Sequence, residues 1–230
     1  MLRLIDETLG KWLRHLFFII VRAYFALFYN VGCSGKHLLQ DTQGALLLAT
    51  HVSRLDGPLI AAILYTTQRI RPVVHYHEYH NWLQWFPMFV ARAIPVSSPK
   101  KWTPERRQAR KEQSMGRIMA VLDKGESILL FPGGHAKRQA REVIAPHLSG
   151  AYDILQAKPD RPVLLVRIEG LSKFQPVRHD YFWSFIGIQK GRRHVSVDIR
   201  MVEDLDLSLD LAAFNADLEA RFNTPIPSVF

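Results

Sequence analysis

The chain has 230 residues, of which 48% are hydrophobic and 22% are charged, and Cys33 is its single cysteine. The length suits one domain with a sizeable core, the composition excludes an intrinsically disordered chain, and one cysteine excludes both an internal disulfide and a Cys-rich zinc module. Thirty Lys and Arg residues against twenty-one Asp and Glu residues give a net charge of +9. This charge favours an anionic partner, and charge alone leaves nucleic acid, an anionic lipid surface and a phosphorylated substrate open.

The first predicted element is an apolar segment from Trp12 to Val31, which Arg14, His15 and Arg22 interrupt. A transmembrane helix needs about 18 or more consecutive apolar residues with few charges, and no cleavage site of a signal peptide follows. We interpret the segment as an amphipathic helix that lies in the membrane interface, within a membrane-associating region of residues 1–36. A helix packed on the domain and a membrane-spanning helix are the alternatives. The aromatic content favours the interface, because it exceeds what one buried face needs.

From about residue 44, short apolar runs alternate with helical patterns, which is typical of an α/β fold with a mainly parallel sheet flanked by helices. No repeat, low-complexity tract or linker divides residues 37–230, which we expect to form one domain. The predicted strands are Ala45–Thr50, Pro72–Tyr76, Ala93–Val96, Ser127–Phe131, Pro162–Ile168 and His194–Val202. The predicted helices are Pro58–Thr67, Asn81–Ala91, Pro104–Asp123, Pro146–Ala157 and Leu209–Phe222.

The first strand of this region ends in a polar loop that carries His51 and Asp56 before Pro58 opens a helix. Active sites of α/β sheets lie at such strand ends. A loop that folds back across this spacing can place the carboxylate against one ring nitrogen and leave the other free, which predicts a general base and its orienting partner. An N-cap is the alternative role for Asp56. The spacing alone is weak evidence, because one such pair arises easily by chance among ten histidines.

Four segments of the chain form a recognisable series: the H-x-x-x-x-D motif at His51–Asp56, Arg92–Val96 followed by Lys100 and Lys101, Ile128–Arg138, and Pro162–Gly170. In this order they resemble the motifs of the glycerolipid acyltransferase family, which includes bacterial lysophosphatidic acid acyltransferase. The resemblance runs from about Gly44 to Gly170. It implies transfer of a fatty acyl group from a thioester to a hydroxyl of a lysophospholipid-type acceptor, such as 1-acylglycerol-3-phosphate, with residues 37–230 as the catalytic domain.

The third segment departs from the family pattern at three positions. Gly133 replaces the usual Glu, His135 replaces a small hydroxyl residue, and Ala136 stands where an Arg is common. These departures leave the acceptor headgroup open between a lysophospholipid and an amino-acid lipid.

The residues of the third segment favour an anion-binding turn. A strand that runs into Pro-Gly-Gly gives backbone amides that can approach a phosphate closely, and the basic residues that follow add positive charge. A glycine turn before a solvated basic helix start is the alternative. The expected substrate-binding residues are Ser53, Arg54, Gly133, Gly134, His135, Lys137 and Arg138.

The expected mechanism is direct attack, because a thioester already has a good thiolate leaving group. His51 takes the proton of the acceptor hydroxyl and passes a proton to the departing thiol. Acyl-CoA or acyl carrier protein is the expected co-substrate, and neither a cofactor nor a metal is expected. We expect Cys33 to be inert, and Ser53 lacks the Gly-x-Ser-x-Gly surroundings of a nucleophilic serine.

Three further segments carry open alternatives. The histidines of His75–His80 do not match the H-E-x-x-H spacing of a zinc site, so lining the substrate site is the preferred role. The basic run Lys100–Lys111 is a solvated helix face or a carrier or lipid contact, and no nucleic-acid motif accompanies it, so no nucleic-acid partner is expected. The aromatic segment Tyr181–Ile186 packs in the core or lines an acyl-chain groove.

We therefore expect an enzyme bound to an anionic membrane surface, at the cytoplasmic face of the inner membrane, where the single cysteine stays reduced. A non-catalytic anionic-lipid-binding protein of the same fold is the alternative.

Overall fold

The computed structural model describes residues 2–39, 42–64, 69–82, 85–96, 99, 101–136, 141–171 and 193–224, and the side chains of these residues except 2–9, 11 and 193. The helices are α1 (Leu2–Phe28), α2 (Asp56–Leu64), α3 (Tyr76–Tyr79), α4 (Trp85–Val90), α5 (Pro104–Asp123), α6 (Gly150–Ala157) and α7 (Leu211–Asn223), with a short 3-10 helix at Lys36–Leu39. The strands are β1 (Tyr29–Ser34), β2 (Leu46–Ala49), β3 (Ile70–His75), β4 (Ile94–Val96), β5 (Ser127–Leu130), β6 (Val163–Glu169) and β7 (Arg193–Val202).

These strands form one sheet in the order β1-β7-β6-β2-β5-β3-β4. Strand β2 lies in the middle and is parallel to both of its neighbours, β5 and β6. Strand β7 is antiparallel to β6 and parallel to the edge strand β1. The prediction of an α/β fold with a mainly parallel sheet flanked by helices is confirmed.

Helices cover both faces of the sheet, and for this reason β2 is an uninterrupted apolar run. All four of its residues are fully buried. Leu47 and Ala49 pack with residues of α1 and α2, whereas Leu46 and Leu48 pack with residues of α5, α6 and α7. This double burial holds the carboxyl end of β2, where His51 follows, in a fixed position.

The expectation that the sheet begins near Ala45 is wrong, because β1 precedes it. Residues Tyr29–Ser34 pair with residues 193–198 of β7 at the edge of the sheet. Their sequence, YNVGCS, contains Asn, Gly and Ser, which are poor strand formers, and it continues an apolar helix. Only the pairing with β7, far along the chain, makes this segment a strand.

Helix α1 is packed on the domain through one face and exposed through the other. Phe18 and Phe25 are buried, and Phe25 belongs to the core beneath α2. The opposite face exposes large apolar side chains, namely Trp12, Leu13, Leu16, Ile19, Ile20 and Leu27. Within the described part of the chain, no helix combines the length and the apolar character needed to cross a membrane.

Candidate active site

The loop after β2 brings His51 and Asp56 into direct contact. His51 Nδ1 lies 2.8 Å from Asp56 Oδ2. The same carboxylate oxygen accepts the backbone N–H groups of Val52 and Ser53 at 2.6 and 2.7 Å. The carboxylate therefore turns back into the loop, and the alternative in which Asp56 serves as an N-cap of α2 is wrong.

This arrangement fixes the tautomer of His51. Oδ2 of Asp56 already accepts two backbone N–H groups, so it is an acceptor and Nδ1 of His51 carries the proton. The other ring nitrogen, Nε2, then has the free lone pair that a general base needs. Burial raises the pKa of the Asp56 carboxyl, and the hydrogen bonds from His51, Ser53 and Val52 oppose that rise.

The His51 ring also packs against the ring of Phe131, the first residue after β5. The two rings stack with centroids 4.5 Å apart and an angle of 29° between their planes. The sequence did not reveal this contact, although Phe131 opens the Phe-Pro-Gly-Gly segment and β5 was predicted correctly. Only the pairing of β5 with β2 shows that the ends of these strands meet.

Thr50 anchors the start of the loop to β6. Its backbone N–H donates to the Val166 carbonyl at 3.0 Å, and its hydroxyl accepts the Ile168 N–H at 2.8 Å. The side chain is 1% exposed. The residue before His51 is thus fixed by two bonds to a neighbouring strand.

We expect Thr50→Val to destabilise the protein by about 1–3 kcal/mol, because the isosteric side chain leaves the buried Ile168 N–H without an acceptor. Urea unfolding measures the effect. Thr50→Ser is the matched control, since it keeps the hydroxyl and should retain most of the stability. Equal stability of the valine and serine variants would show that this hydrogen bond contributes nothing.

The other residues of the loop have distinct surroundings. Ser53 is 4% exposed, and its hydroxyl accepts the Leu55 N–H at 2.9 Å, so it shapes the loop. Arg54 is exposed next to it. The structure therefore offers Arg54 to a substrate more readily than Ser53.

The Pro-Gly-Gly turn lies at the end of β5, beside the His51 loop. Gly134 has a φ of 70°, a left-handed conformation that favours glycine, and its N–H donates to the Phe131 carbonyl at 3.0 Å. Gly134 and His135 are exposed. The predicted substrate-binding residues Lys137 and Arg138 lie outside the described residues.

Gly133 is buried, and it packs against the carboxylate of Glu142. A Cβ atom at position 133 would lie 2.8 Å from Glu142 Oε1 and 3.2 Å from the Val143 carbonyl oxygen. Glu142 is itself 1% exposed. The carboxylate thus fills the space into which a side chain at position 133 would point.

We expect Gly133→Ala to destabilise the protein by about 1–3 kcal/mol through this overlap. Urea unfolding of Gly133→Ala, Glu142→Ala and the double variant forms a cycle that isolates the contact. Gly133→Ala should lower the free energy of unfolding by less in the Glu142→Ala background than in the wild-type protein. Gly134→Ala is the control, because its loss of stability arises from the left-handed backbone at Gly134 and should be the same with and without the Glu142 side chain. If the stability losses of Gly133→Ala and Glu142→Ala were strictly additive in the double variant, the overlap would be contradicted.

The histidines of residues 75–80 pair with aromatic rings. His75 stacks on His77, and His80 stacks on Tyr76. Among the described residues, no three His, Cys, Asp or Glu side chains are grouped so that they could hold a metal ion. Cys33 lies on the edge strand β1, three strands away from β2, and burial raises the pKa of its thiol.

Residues 104–111 of the basic run form the first part of α5. Arg106 lies over the Trp102 ring at 3.9 Å, and Arg110 lies 5.9 Å from the Tyr76 ring. Trp102, Arg106 and Arg110 line an open groove of about 350 Å³. Lys100 and the aromatic segment Tyr181–Ile186 lie outside the described residues.

The sequence model of the acyltransferase family matches residues 30–169, which is more than half of the chain. The chain therefore belongs to the acyltransferase family, and the resemblance seen in the four motifs is confirmed. The crystal structure of the 1-acyl-sn-glycerophosphate (LPA) acyltransferase PlsC from Thermotoga maritima has a similar fold, with a TM-score of 0.61. The sequence identity is 16%, and the match covers 97% of this chain and 85% of that one. No curated protein is significantly similar in sequence.

Proposed function

We propose that this acyltransferase moves a fatty acyl group from an acyl-CoA or acyl carrier protein thioester to a hydroxyl of a lysophospholipid-type acceptor, in phospholipid biosynthesis or remodelling. The observation that carries the proposal is the His51–Asp56 pair, in which Nδ1 is committed to the carboxylate and Nε2 is left as a base. The pair stands at the carboxyl end of the central strand, where α/β enzymes bind their substrates.

The reaction needs one proton carrier. Nε2 of His51 accepts the proton of the acceptor hydroxyl as that oxygen attacks the thioester carbonyl carbon. The tetrahedral adduct expels the sulfur, and the imidazolium returns the proton to it, so the products are an ester and a free thiol. Asp56 stabilises the imidazolium between these two steps. The acyl carrier is a co-substrate, and the mechanism calls for no further cofactor.

The acceptor headgroup is proposed to bind at the Pro-Gly-Gly turn and at the loop next to it. The turn follows β5, which is paired with β2, and the Phe131 ring touches His51. The exposed backbone at Gly134 and the exposed Arg54 suit an anionic group. The residues proposed for this role are Ser53, Arg54, Gly133, Gly134, His135, Lys137 and Arg138.

The protein is further proposed to bind an anionic membrane surface, at the cytoplasmic face of the inner membrane. The exposed face of α1 supports this, since Trp12 is 70% and Leu27 is 64% exposed at its two ends. An apolar face of this length on a basic protein suits the boundary between headgroups and acyl chains.

The experiment that tests the function is acyl transfer by the purified full-length protein, with acyl-CoA and acyl carrier protein as donors and a panel of lysolipids as acceptors. Ester formation with a lysolipid supports the proposal, and the panel identifies the headgroup. Vesicle binding without transfer from either donor would contradict it and favour the non-catalytic lipid-binding alternative. An acyl group found by mass spectrometry on Cys33 or Ser53, formed and consumed at the rate of turnover, would overturn direct attack.

A further inference from the structure

Three arginine side chains gather around one carboxylate at the end of the sheet opposite to His51. Glu126 Oε1 lies 3.4 Å from Arg92 Nη1 and 4.0 Å from Arg69 Nη1, and Oε2 accepts a hydrogen bond from Arg71. Glu126 stands at the amino end of β5, whereas His51 follows the carboxyl end of the parallel strand β2. The cluster therefore does not belong to the catalytic site.

The positive charges of the cluster outnumber its one carboxylate. Burial together with the charges of Arg71, Arg14 and Arg69 lowers the pKa of Arg92, and Glu126 opposes this. One carboxylate thus faces three guanidinium groups. A further anion would relieve their mutual repulsion, and guanidinium groups bind phosphate oxygens in a bidentate manner.

The backbone of Arg92 is a second indication that this side chain has a role. Arg92 ends α4 in the left-handed region, with a φ of 55°. Its N–H donates to the Phe89 carbonyl, and the Ala93 N–H donates to the Met88 carbonyl, which is the helix ending in which glycine usually stands. Glycine would adopt this conformation without strain, so the arginine side chain carries a conformational cost that glycine would not.

Exposed aromatic side chains lie next to the cluster on α4 and the turn before it. Trp82 is 78%, Trp85 is 52% and Phe89 is 61% exposed, and Phe89 precedes Arg92 by three residues. The Phe86 ring meets the Phe17 ring of α1 at 6.3 Å. The apolar surface of α4 is thus continuous with the exposed apolar face of α1.

We propose that Arg69, Arg71 and Arg92 form a second phospholipid site, which binds the phosphate of an anionic phospholipid in the bilayer while the aromatic side chains of α4 enter the acyl region. This inference rests on the membrane association proposed above. The partner that we infer is a bilayer with anionic headgroups. The arginines suit its charged headgroup layer, and the exposed tryptophans beside them suit the apolar layer beneath.

The site also orients the catalytic edge of the sheet. Helix α1 meets α4 beside the cluster through Phe17 and Phe86 and ends at Phe28, and Tyr29 is level with Arg193 of β7. Strand β7 is antiparallel to β6, so its amino end lies at the carboxyl end of β6, which is the catalytic edge. A lipid held at the cluster would therefore lay α1 along the bilayer and bring the His51 edge towards its surface.

The test is co-sedimentation of the full-length protein with vesicles of phosphatidylcholine alone and with added phosphatidylglycerol. Arg69→Gln combined with Arg92→Gly should reduce the partition onto the anionic vesicles by about ten-fold or more, since each arginine near such a surface adds to binding. The matched control is Arg107→Gln with Arg117→Gln, which removes the same charge from exposed positions on α5, across the sheet from α1. It should lower the partition by less than about three-fold.

Arg92→Gly alone separates binding from folding. It should weaken binding to the anionic vesicles without lowering the thermal unfolding midpoint, because glycine relieves the left-handed backbone. Trp85→Ala with Phe89→Ala should reduce binding to both kinds of vesicle. Equal losses in the cluster variant and in the α5 control, or unchanged anionic binding of the cluster variant, would overturn the proposal. Because the assay reads binding, it is independent of whether acyl transfer occurs.

Discussion

His51→Ala is expected to reduce acyl transfer by at least about a hundred-fold, because it removes the group that accepts the hydroxyl proton. The loss should fall on kcat more than on KM, since the base acts on the reacting atoms. Folding should be retained, because the His51 side chain is 23% exposed at a loop and contributes no core volume. The measurement is transfer of a labelled acyl group at saturating donor and acceptor.

His37→Ala is the matched control for this variant. His37 is exposed on the short 3-10 helix that follows β1, the edge strand three strands away from β2. Its removal should leave kcat within about two-fold, since surface substitutions away from special contacts have small effects. Near wild-type turnover in a folded His51→Ala protein would contradict the role of His51 as the base.

Asp56→Asn is expected to lower kcat by about ten- to a hundred-fold, which is severe but less complete than the loss of His51. One oxygen of Asp56 accepts three N–H groups, from His51, Val52 and Ser53. An asparagine either turns its NH₂ towards these three donors, where it accepts nothing, or turns its carbonyl oxygen towards them and lacks the negative charge that stabilises the imidazolium. The variant should also be less stable by about 1–3 kcal/mol, because the carboxylate is fully buried.

A rate measurement and urea unfolding on the same preparations separate these two effects. Asp153→Asn is the control, because Asp153 on α6 is a partly exposed carboxylate whose partners, Ser149 and Lys111, lie outside the His51 loop. It should change turnover little. A folded Asp56→Asn protein with unchanged kcat would show that the orienting carboxylate is dispensable.

The features that the sequence predicts well are local ones. The His51–Asp56 contact spans five residues, and the loop between them is too short to arrange the two side chains in many other ways. The four leucine and alanine residues of β2 predict a strand that is buried on both faces, and the structure confirms this. The motifs and the strand pattern together were therefore sufficient to predict the fold class and the family.

The features that the sequence does not predict depend on distant pairing. Residues Tyr29–Ser34 become a strand only because β7 lies beside them, although 164 residues separate the paired positions. Phe131 meets His51 because β5 is paired with β2. The arginine cluster joins residues at the start of β3, after the end of α4 and before the start of β5, and no linear pattern links these positions.

The packing of Glu142 against Gly133 has a consequence for the comparison of related chains. The two positions compete for one volume, since a Cβ at 133 would lie 2.8 Å from the Glu142 carboxylate. Any relative that places a side chain at 133 must therefore carry a smaller residue at 142 or move that segment. We therefore expect the two columns of an alignment to covary, with the volume beside the turn filled either from position 133 or from position 142, nine residues later.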